Sequence, residues 1–240
     1  MIISVHIGKT AGSSFLATLK NHFGRKLLED YNDIGVKQIS AASSKYEKYK
    51  EILKASVDLA EKDWSNIECI HGHILPLKYL LTGYRYQAKF VVWIRNPVER
   101  LYSHYYYWKR SYDPRKSDDL QRKVIEEKWS IERFCLDPEF KNHYCGKFWG
   151  FPLEYFDFIG ITEFYENDLA YFARHFLGSE TEAKKINVGE NEGKPYFIDE
   201  SFRKEVESFH SLDMALYRRA LEIRQIQRGN TIGNPKYHLS

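Results

Sequence analysis

The sequence is poor in cysteine. Three thiols, Cys69, Cys135 and Cys145, are an odd number and too few to staple a small scaffold. They fit a reducing compartment, although Cys135 and Cys145 stand close enough in sequence to bridge. Long apolar runs are absent as well. No stretch approaches the ~18 apolar residues of a membrane span. The start of the chain has neither the charged segment nor the apolar segment of a secretory signal. The expectation is a cytoplasmic protein with no membrane span. A charge excess is also lacking, since 36 Lys and Arg face 33 Asp and Glu for a net +3. Nucleic-acid binding is therefore not suggested by charge, while a local basic site for an anion remains open. No internal repeat or low-complexity linker divides the 240 residues. One domain over 1–240 is predicted, with 229–240 an irregular tail.

What is present is a core-forming composition, 43 % hydrophobic, with 16 % aromatic residues that include 18 Tyr. Four short apolar runs, Ile2–Ile7, Ile67–Ile70, Phe90–Ile94 and Phe158–Thr162, read as buried parallel strands. Helical spacing lies between them. Phe15, Leu16, Leu19 and Phe23 fit one helix ended by Gly24, and Tyr46, Tyr49, Leu53 and Val57 fit a second. Leu169, Phe172, Ala173 and Phe176 fit another, ended by Gly178, and a long C-terminal helix takes Phe202, Val206, Phe209, Leu216, Ala220 and Ile223. Alternating strands and helices predict an α/β fold whose central parallel sheet is flanked by helices, with ligands at the carboxyl ends of the strands.

The sharpest local signal opens the chain. An apolar strand stops at Gly8-Lys9-Thr10, small and hydroxyl residues follow (Ala11, Gly12, Ser13, Ser14), and a helix begins at Phe15. Such a turn aims backbone N–H groups and a helix dipole at one point and suits a phosphate or sulfate. Lys9 adds a mobile cation. The nucleotide-triphosphate P-loop fails on spacing, because the glycine it requires five residues upstream is Ile3 here. A plain strand–turn–helix with an exposed lysine is the other reading of the segment.

A second signal runs from Arg95 to His104. The strand ends at Arg95, Asn96 caps a helix, and Pro97 suits its first turn. Ser103 follows about two turns on, with Arg100 one turn before it. A guanidinium and a hydroxyl suit a second phosphate. The alternative is a strand-end arginine paired with an acidic neighbour. A third signal, Ile70-His71-Gly72-His73, puts two imidazoles at a strand end, on one side if the strand continues. By themselves they read as a catalytic base, a hydrogen-bonded structural pair or half of a metal site. His6 and His104 fall near the same place.

Together these segments resemble the sulfotransferases, and in particular the carbohydrate sulfotransferase family of the heparan sulfate 2-O-sulfotransferase type. His6-Ile-Gly-Lys-Thr-Ala-Gly-Ser-Ser-Phe15 is similar to the family's 5′-phosphosulfate loop, and Ile94-Arg-Asn-Pro-Val-Glu-Arg-Leu-Tyr-Ser-His-Tyr-Tyr106 to its 3′-phosphate motif. The likeness continues in Phe158-Ile-Gly-Ile-Thr-Glu163, Ile186-Asn-Val-Gly189 and Leu212-Asp-Met-Ala-Leu-Tyr217. Gly8 departs from the family's usual proline, and the membrane anchor and stem of the animal Golgi enzymes have no counterpart. The resemblance implies a P-loop-like sulfotransferase architecture that moves a sulfuryl group from 3′-phosphoadenosine 5′-phosphosulfate (PAPS) to a hydroxyl, without metal.

It implies that Lys9, Thr10, Ala11, Gly12, Ser13 and Ser14 hold the 5′-phosphate and that Arg95 and Ser103 hold the 3′-phosphate. It makes His73 the first choice for the base and His71 its support, and it places the loop Gly189–Pro195 over the adenine. A saccharide is the implied acceptor, with a phenolic or lipid-linked hydroxyl still open. Tyr105-Tyr-Tyr-Trp-Lys-Arg110, with Arg115, Lys116, Arg122, Lys123 and Trp129, would receive it, unless Tyr105 and Trp108 pack in the core. The competing readings are an ATP-dependent kinase or nucleotide hydrolase, a non-catalytic nucleotide-binding module, and a metal protein built on His71 and His73.

Overall fold

The computed structural model describes residues 1–31, 45–179 and 198–229. Among them, five strands form one all-parallel sheet: β1 (Ile2–Val5), β2 (Leu27–Glu29), β3 (Cys69–Gly72), β4 (Lys89–Ile94) and β5 (Phe158–Ile161), in the order β2-β3-β1-β4-β5. The flanking helices are α1 (Gly12–Phe23), α2 (Lys45–Glu61), α3 (Leu80–Arg85), α4 (Pro97–Ser111), α5 (Asp119–Glu126), α6 (Ile131–Cys135), α7 (His143–Lys147), α8 (Tyr165–Phe172), α9 (Glu200–Phe209) and α10 (Ser211–Gln227). This is the single α/β domain that the alternating pattern implied.

The pleat sorts the strand residues onto two faces. Ile2, Cys69, Val91, Trp93 and Phe158 pack under α1 and α8, against Phe15, Leu19, Leu169 and Phe172. Ile3, Val5, Ile70, Phe90, Val92, Ile94, Ile159 and Ile161 point the other way, toward Tyr79, Tyr144, Phe148 and the Tyr217–Ala220–Ile223 stripe of α10. Strands covered on both faces read as continuous apolar runs, which is why four of the five were visible. A further apolar cluster joins α4 to α5, α6 and α9 through Leu101, Tyr105, Trp108, Val124, Phe134 and Val206.

Three expectations need correction. β2 was not expected: three residues ending in Glu29 are too short and too polar for an apolar-run reading. On α2 the buried stripe is Ile52, Ser56 and Leu59, while Leu53 and Val57 are each 49 % exposed. The helix has two adjacent stripes of similar spacing, and packing against Leu75, Leu77 and Leu80 selects the one with Ile52. The C-terminal helix is two helices. His210 leaves helical geometry (φ −100°, ψ 32°) because its buried ring is tied down, Nε2 donating to the Cys135 carbonyl (2.7 Å) and Nδ1 accepting from Asn142 N–H (3.3 Å). Cys135 and Cys145 do not bridge, and all three thiols are free. The helix ends at Gly24 and Gly178 stand as expected. The side chain of Tyr46, the segments 186–189 and 189–195, and the tail from 230 lie outside the described residues.

The site-bearing edge is held from below by one buried carboxylate. Asp168 of α8 is fully buried, accepts Ile161 N–H of β5 (2.8 Å), and receives both Nε and Nη2 of Arg224 from α10 (2.7–2.9 Å). Arg228 approaches the same oxygen at 3.2 Å. Removing one member strands the rest, so Asp168→Ala is expected to cost about 3–5 kcal/mol in urea unfolding. A cost below ~1 kcal/mol would refute this role.

Candidate functional site

β1 lies where the strand order switches direction. The connection after β1 runs to the β3 side of the sheet, and the one after β4 runs to β5, so a crevice opens between their carboxyl ends. The turn after β1 and the start of α4, which follows β4, both stand at this edge.

The turn is tightly built. Thr10 is fully buried and its hydroxyl donates to the Ile7 carbonyl (2.8 Å), so this side chain closes the turn and leaves only its backbone for a ligand. Lys9 (φ 70°) and Ala11 (φ 63°) adopt left-handed backbone, which is costly for non-glycine residues and turns N–H groups toward a concave face. α1 then begins with no capping side chain, so its first N–H groups, at Gly12, Ser13 and Ser14, have no side-chain acceptor from the cap. Lys9 reaches across to α4, with Nζ 4.2 Å from the Tyr107 ring centroid.

α4 starts as its sequence implied. Asn96 Oδ1 accepts Val98 N–H (2.9 Å) and Glu99 N–H (3.4 Å) behind Pro97. Arg95 is fixed through its backbone, its N–H donating to the Tyr144 hydroxyl (3.1 Å) and its carbonyl accepting from that hydroxyl (2.6 Å). Its charge acts on Glu163, which uses one oxygen to accept Asn96 N–H. From there α4 carries two stripes. Val98, Leu101, Tyr105 and Trp108 enter the apolar cluster. Arg100, Ser103, His104 and Tyr107 recur at three- and four-residue spacing on the other side. Arg100 is 3 % exposed and Ser103 1 %, yet among the described residues Arg100 Nε, Ser103 Oγ and His104 Nδ1 have no hydrogen-bond partner. Buried polar atoms are nearly always bonded, so three orphans on one stripe single it out as a candidate binding surface.

The histidines complete the site from the β1–β3 side. His71 Nδ1 bonds Ser4 Oγ (2.8 Å) and its Nε2 is buried without a partner. His73 Nδ1 lies 2.9 Å from the His6 carbonyl. A carbonyl only accepts, so His73 carries a proton on Nδ1 and donates it to His6. The side chains of His71 and His73 share one side, as alternation required, and both stack on His6, at 5.1 Å and 4.3 Å between centroids. Tyr31 edges all three rings and its hydroxyl meets His6 Nδ1 (3.3 Å). Stacked rings do not converge on a point. Among the described residues no group of three or more His, Cys, Asp or Glu could hold a metal ion.

The electrostatics link these parts. Burial, then the charges of His73, His71, Lys147 and Lys9, lower the His6 pKa to about 2. Burial, then Arg100 and Lys9, lower His104 to about 3. Burial, then Arg100, Lys147, His104 and His73, push His143 well below its ordinary value. Burial, then His73 and Lys20, lower His71 to about 3. Cations from the β1 turn, α4 and α7 thus act on one set of neutral imidazoles. His143 and Lys147 of α7 belong to this basin and were not singled out from sequence. Their segment, 142–147, has no motif spacing, and long-range contacts bring it in: Asp213 accepts Tyr144 and Cys145 N–H, His210 accepts Asn142 N–H, and the Tyr144 hydroxyl bonds the Arg95 backbone.

Other expected binding residues are elsewhere. Tyr105 and Trp108 pack in the core and Lys109 and Arg110 are exposed, so the plainer reading of that run holds. Trp129 is buried, and Arg115, Lys116 and Arg122 pair locally with Asp113 and Asp119. No family model matches the chain, and no curated protein matches it.

Histidines held neutral by the fold regain protons on unfolding. The folded pKa values of His6 and His71 lie below the unfolded value near 6.5, so stability is full above pH ~7 and falls as pH drops through ~6.5 toward 3. Each contributes a slope of about 1.4 kcal/mol per pH unit in that window. Urea unfolding between pH 5 and 8 should show His71→Gln taking up about one proton fewer than wild type at pH 5. An unchanged slope would remove His71 from the account.

Proposed function

We propose that the chain is a PAPS-dependent sulfotransferase of P-loop-like architecture, acting on a hydroxyl acceptor, most simply a saccharide. One observation carries this reading. Lys9 of the β1 turn, the expected 5′ site, reaches α4, and Ser103 of the expected Arg95–Ser103 site lies on an α4 stripe where Arg100 Nε, Ser103 Oγ and His104 Nδ1 are buried without partners among the described residues. A donor with phosphates at both ends of an adenosine fits two such anion sites. The fit with ATP is poorer, because the upstream glycine of the triphosphate loop is Ile3, buried in β1.

PAPS supplies an activated sulfuryl group. The chain's own residues do the rest. Gly12, Ser13 and Ser14 N–H groups and the α1 dipole hold the 5′ end. Arg95 and Ser103 hold the 3′-phosphate, beside Arg100. His73 Nε2 accepts the acceptor's hydroxyl proton as its oxygen bonds to sulfur. Lys9 offsets the charge left on the departing phosphate, where water is scarce and the charge is worth most.

Transfer of radiolabelled sulfate to a saccharide panel tests this directly. Lys9→Ala should lose roughly 10²–10³ in rate and His73→Ala roughly 10²–10⁴, with adenosine 3′,5′-bisphosphate still bound by both. A Lys9→Ala protein with wild-type turnover would overturn the assignment. Tight binding with no transfer by the wild type would favour the non-catalytic module.

A further inference from the structure

We propose that His6 is a positioning residue whose ring is the spacer between the anion-binding turn and His73. The inference rests on the sulfotransferase reading for the role of His73, and on packing for the rest. His6 is the residue after β1, and its N–H still bonds the Gly72 carbonyl (2.8 Å). The ring is held at its edge and by stacking. At the Nε2 edge lies Gly12, the first residue of α1: a Cβ there would fall 1.8 Å from His6 Nε2, so the helix N-terminus rests directly on the imidazole. His73 stacks on the ring at 4.3 Å with 19° between planes, and His71 at 5.1 Å with 27°. Tyr31 fixes the rotation of the ring through Nδ1. The same residue's carbonyl fixes the His73 tautomer. Backbone and side chain of His6 therefore set two properties of the base, its proton placement and its position, relative to the helix that receives the anion.

A histidine is suited to the task because it is flat and, in this setting, uncharged. The burial and the neighbouring cations that hold it neutral keep it from competing with the anion's other ligands or from repelling His73 when that ring accepts a proton. A displacement of the base by about 1 Å is enough to cost roughly 10²-fold in rate. The spacer role also explains why position 12 is glycine: a side chain there would occupy the place of the His6 ring.

Two variants separate a spacer from a polar contact. His6→Phe keeps a flat ring between Gly12 and His73, and His6→Gln keeps polar reach without the ring. The readout is the imidazole ¹⁵N spectrum of His73, with and without saturating adenosine 3′,5′-bisphosphate. Wild type and His6→Phe should show one Nδ1-protonated His73 form that shifts on ligand addition. His6→Gln should show a mixed-tautomer or broadened signal and lose the ligand-induced shift. In transfer assays His6→Gln should lower kcat by roughly 10–10²-fold with little change in donor KM, and His6→Phe should restore most of it. A His6→Gln spectrum like wild type, or rescue by Gln and not by Phe, overturns the inference. If wild type binds no adenosine 3′,5′-bisphosphate, the sulfotransferase reading fails instead. The ligand-free His73 spectra of the two variants then still decide whether His6 holds the ring.

Discussion

A guanidinium that is nearly out of water and has no carboxylate bound to it among the described residues is the constraint on which the candidate site depends. Arg100 is 3 % exposed, lies 5.5 Å from the Tyr144 ring, and leaves Nε unbonded. Asp213 feels its charge but already accepts N–H groups from Tyr144 and Cys145. Burying a charge costs several kcal/mol unless something opposes it. The fold tolerates that cost at the carboxyl edge of the sheet, where Lys9, Lys147 and four neutral histidines share the same basin. An anion bound there, as proposed, would oppose that cost.

The rest of the molecule reads as the support for this edge. The pleat sends Ser4 and His71 to the α1 side, where they bond each other, and sends Ile3, Val5 and Ile70 to the opposite core. α10 acts at both ends of the sheet's far side: Asp213 fixes α7, and Arg224 with Arg228 ties down Asp168 beneath β5. Tyr144 joins the two, stacking under Arg100 and clamping the backbone of Arg95. Left-handed backbone occurs twice in the turn, at Lys9 and Ala11, and also at Gln87, Lys128 and Asn142.

The parts of this that were legible in sequence are the local ones. Apolar runs showed four strands because both faces of a parallel sheet are covered, and Asn96-Pro97 marked the α4 start because capping is a short-range chemistry. The His71–His73 pair was placed correctly by alternation alone. What stayed hidden depends on contacts between distant residues. β2 exists only because β3 offers it a ladder. The α2 face was decided by Leu75 and Leu77, and the break at His210 by a carbonyl 75 residues away. The orphaned Nε of Arg100 and the entry of His143 and Lys147 into the basin have no sequence signature, and the role proposed for His6 rests on contacts with Gly12 and His73 that the sequence does not show.

Isothermal calorimetry with adenosine 3′,5′-bisphosphate against magnesium–ATP, on wild type and on Arg95→Ala and Ser103→Ala, tests the central claim most directly. The account predicts that the bisphosphate binds at least tenfold more tightly than ATP and that each substitution removes most of that preference while sparing adenosine 5′-phosphosulfate. Equal or tighter binding of magnesium–ATP, or a bisphosphate affinity unmoved by both substitutions, would contradict it.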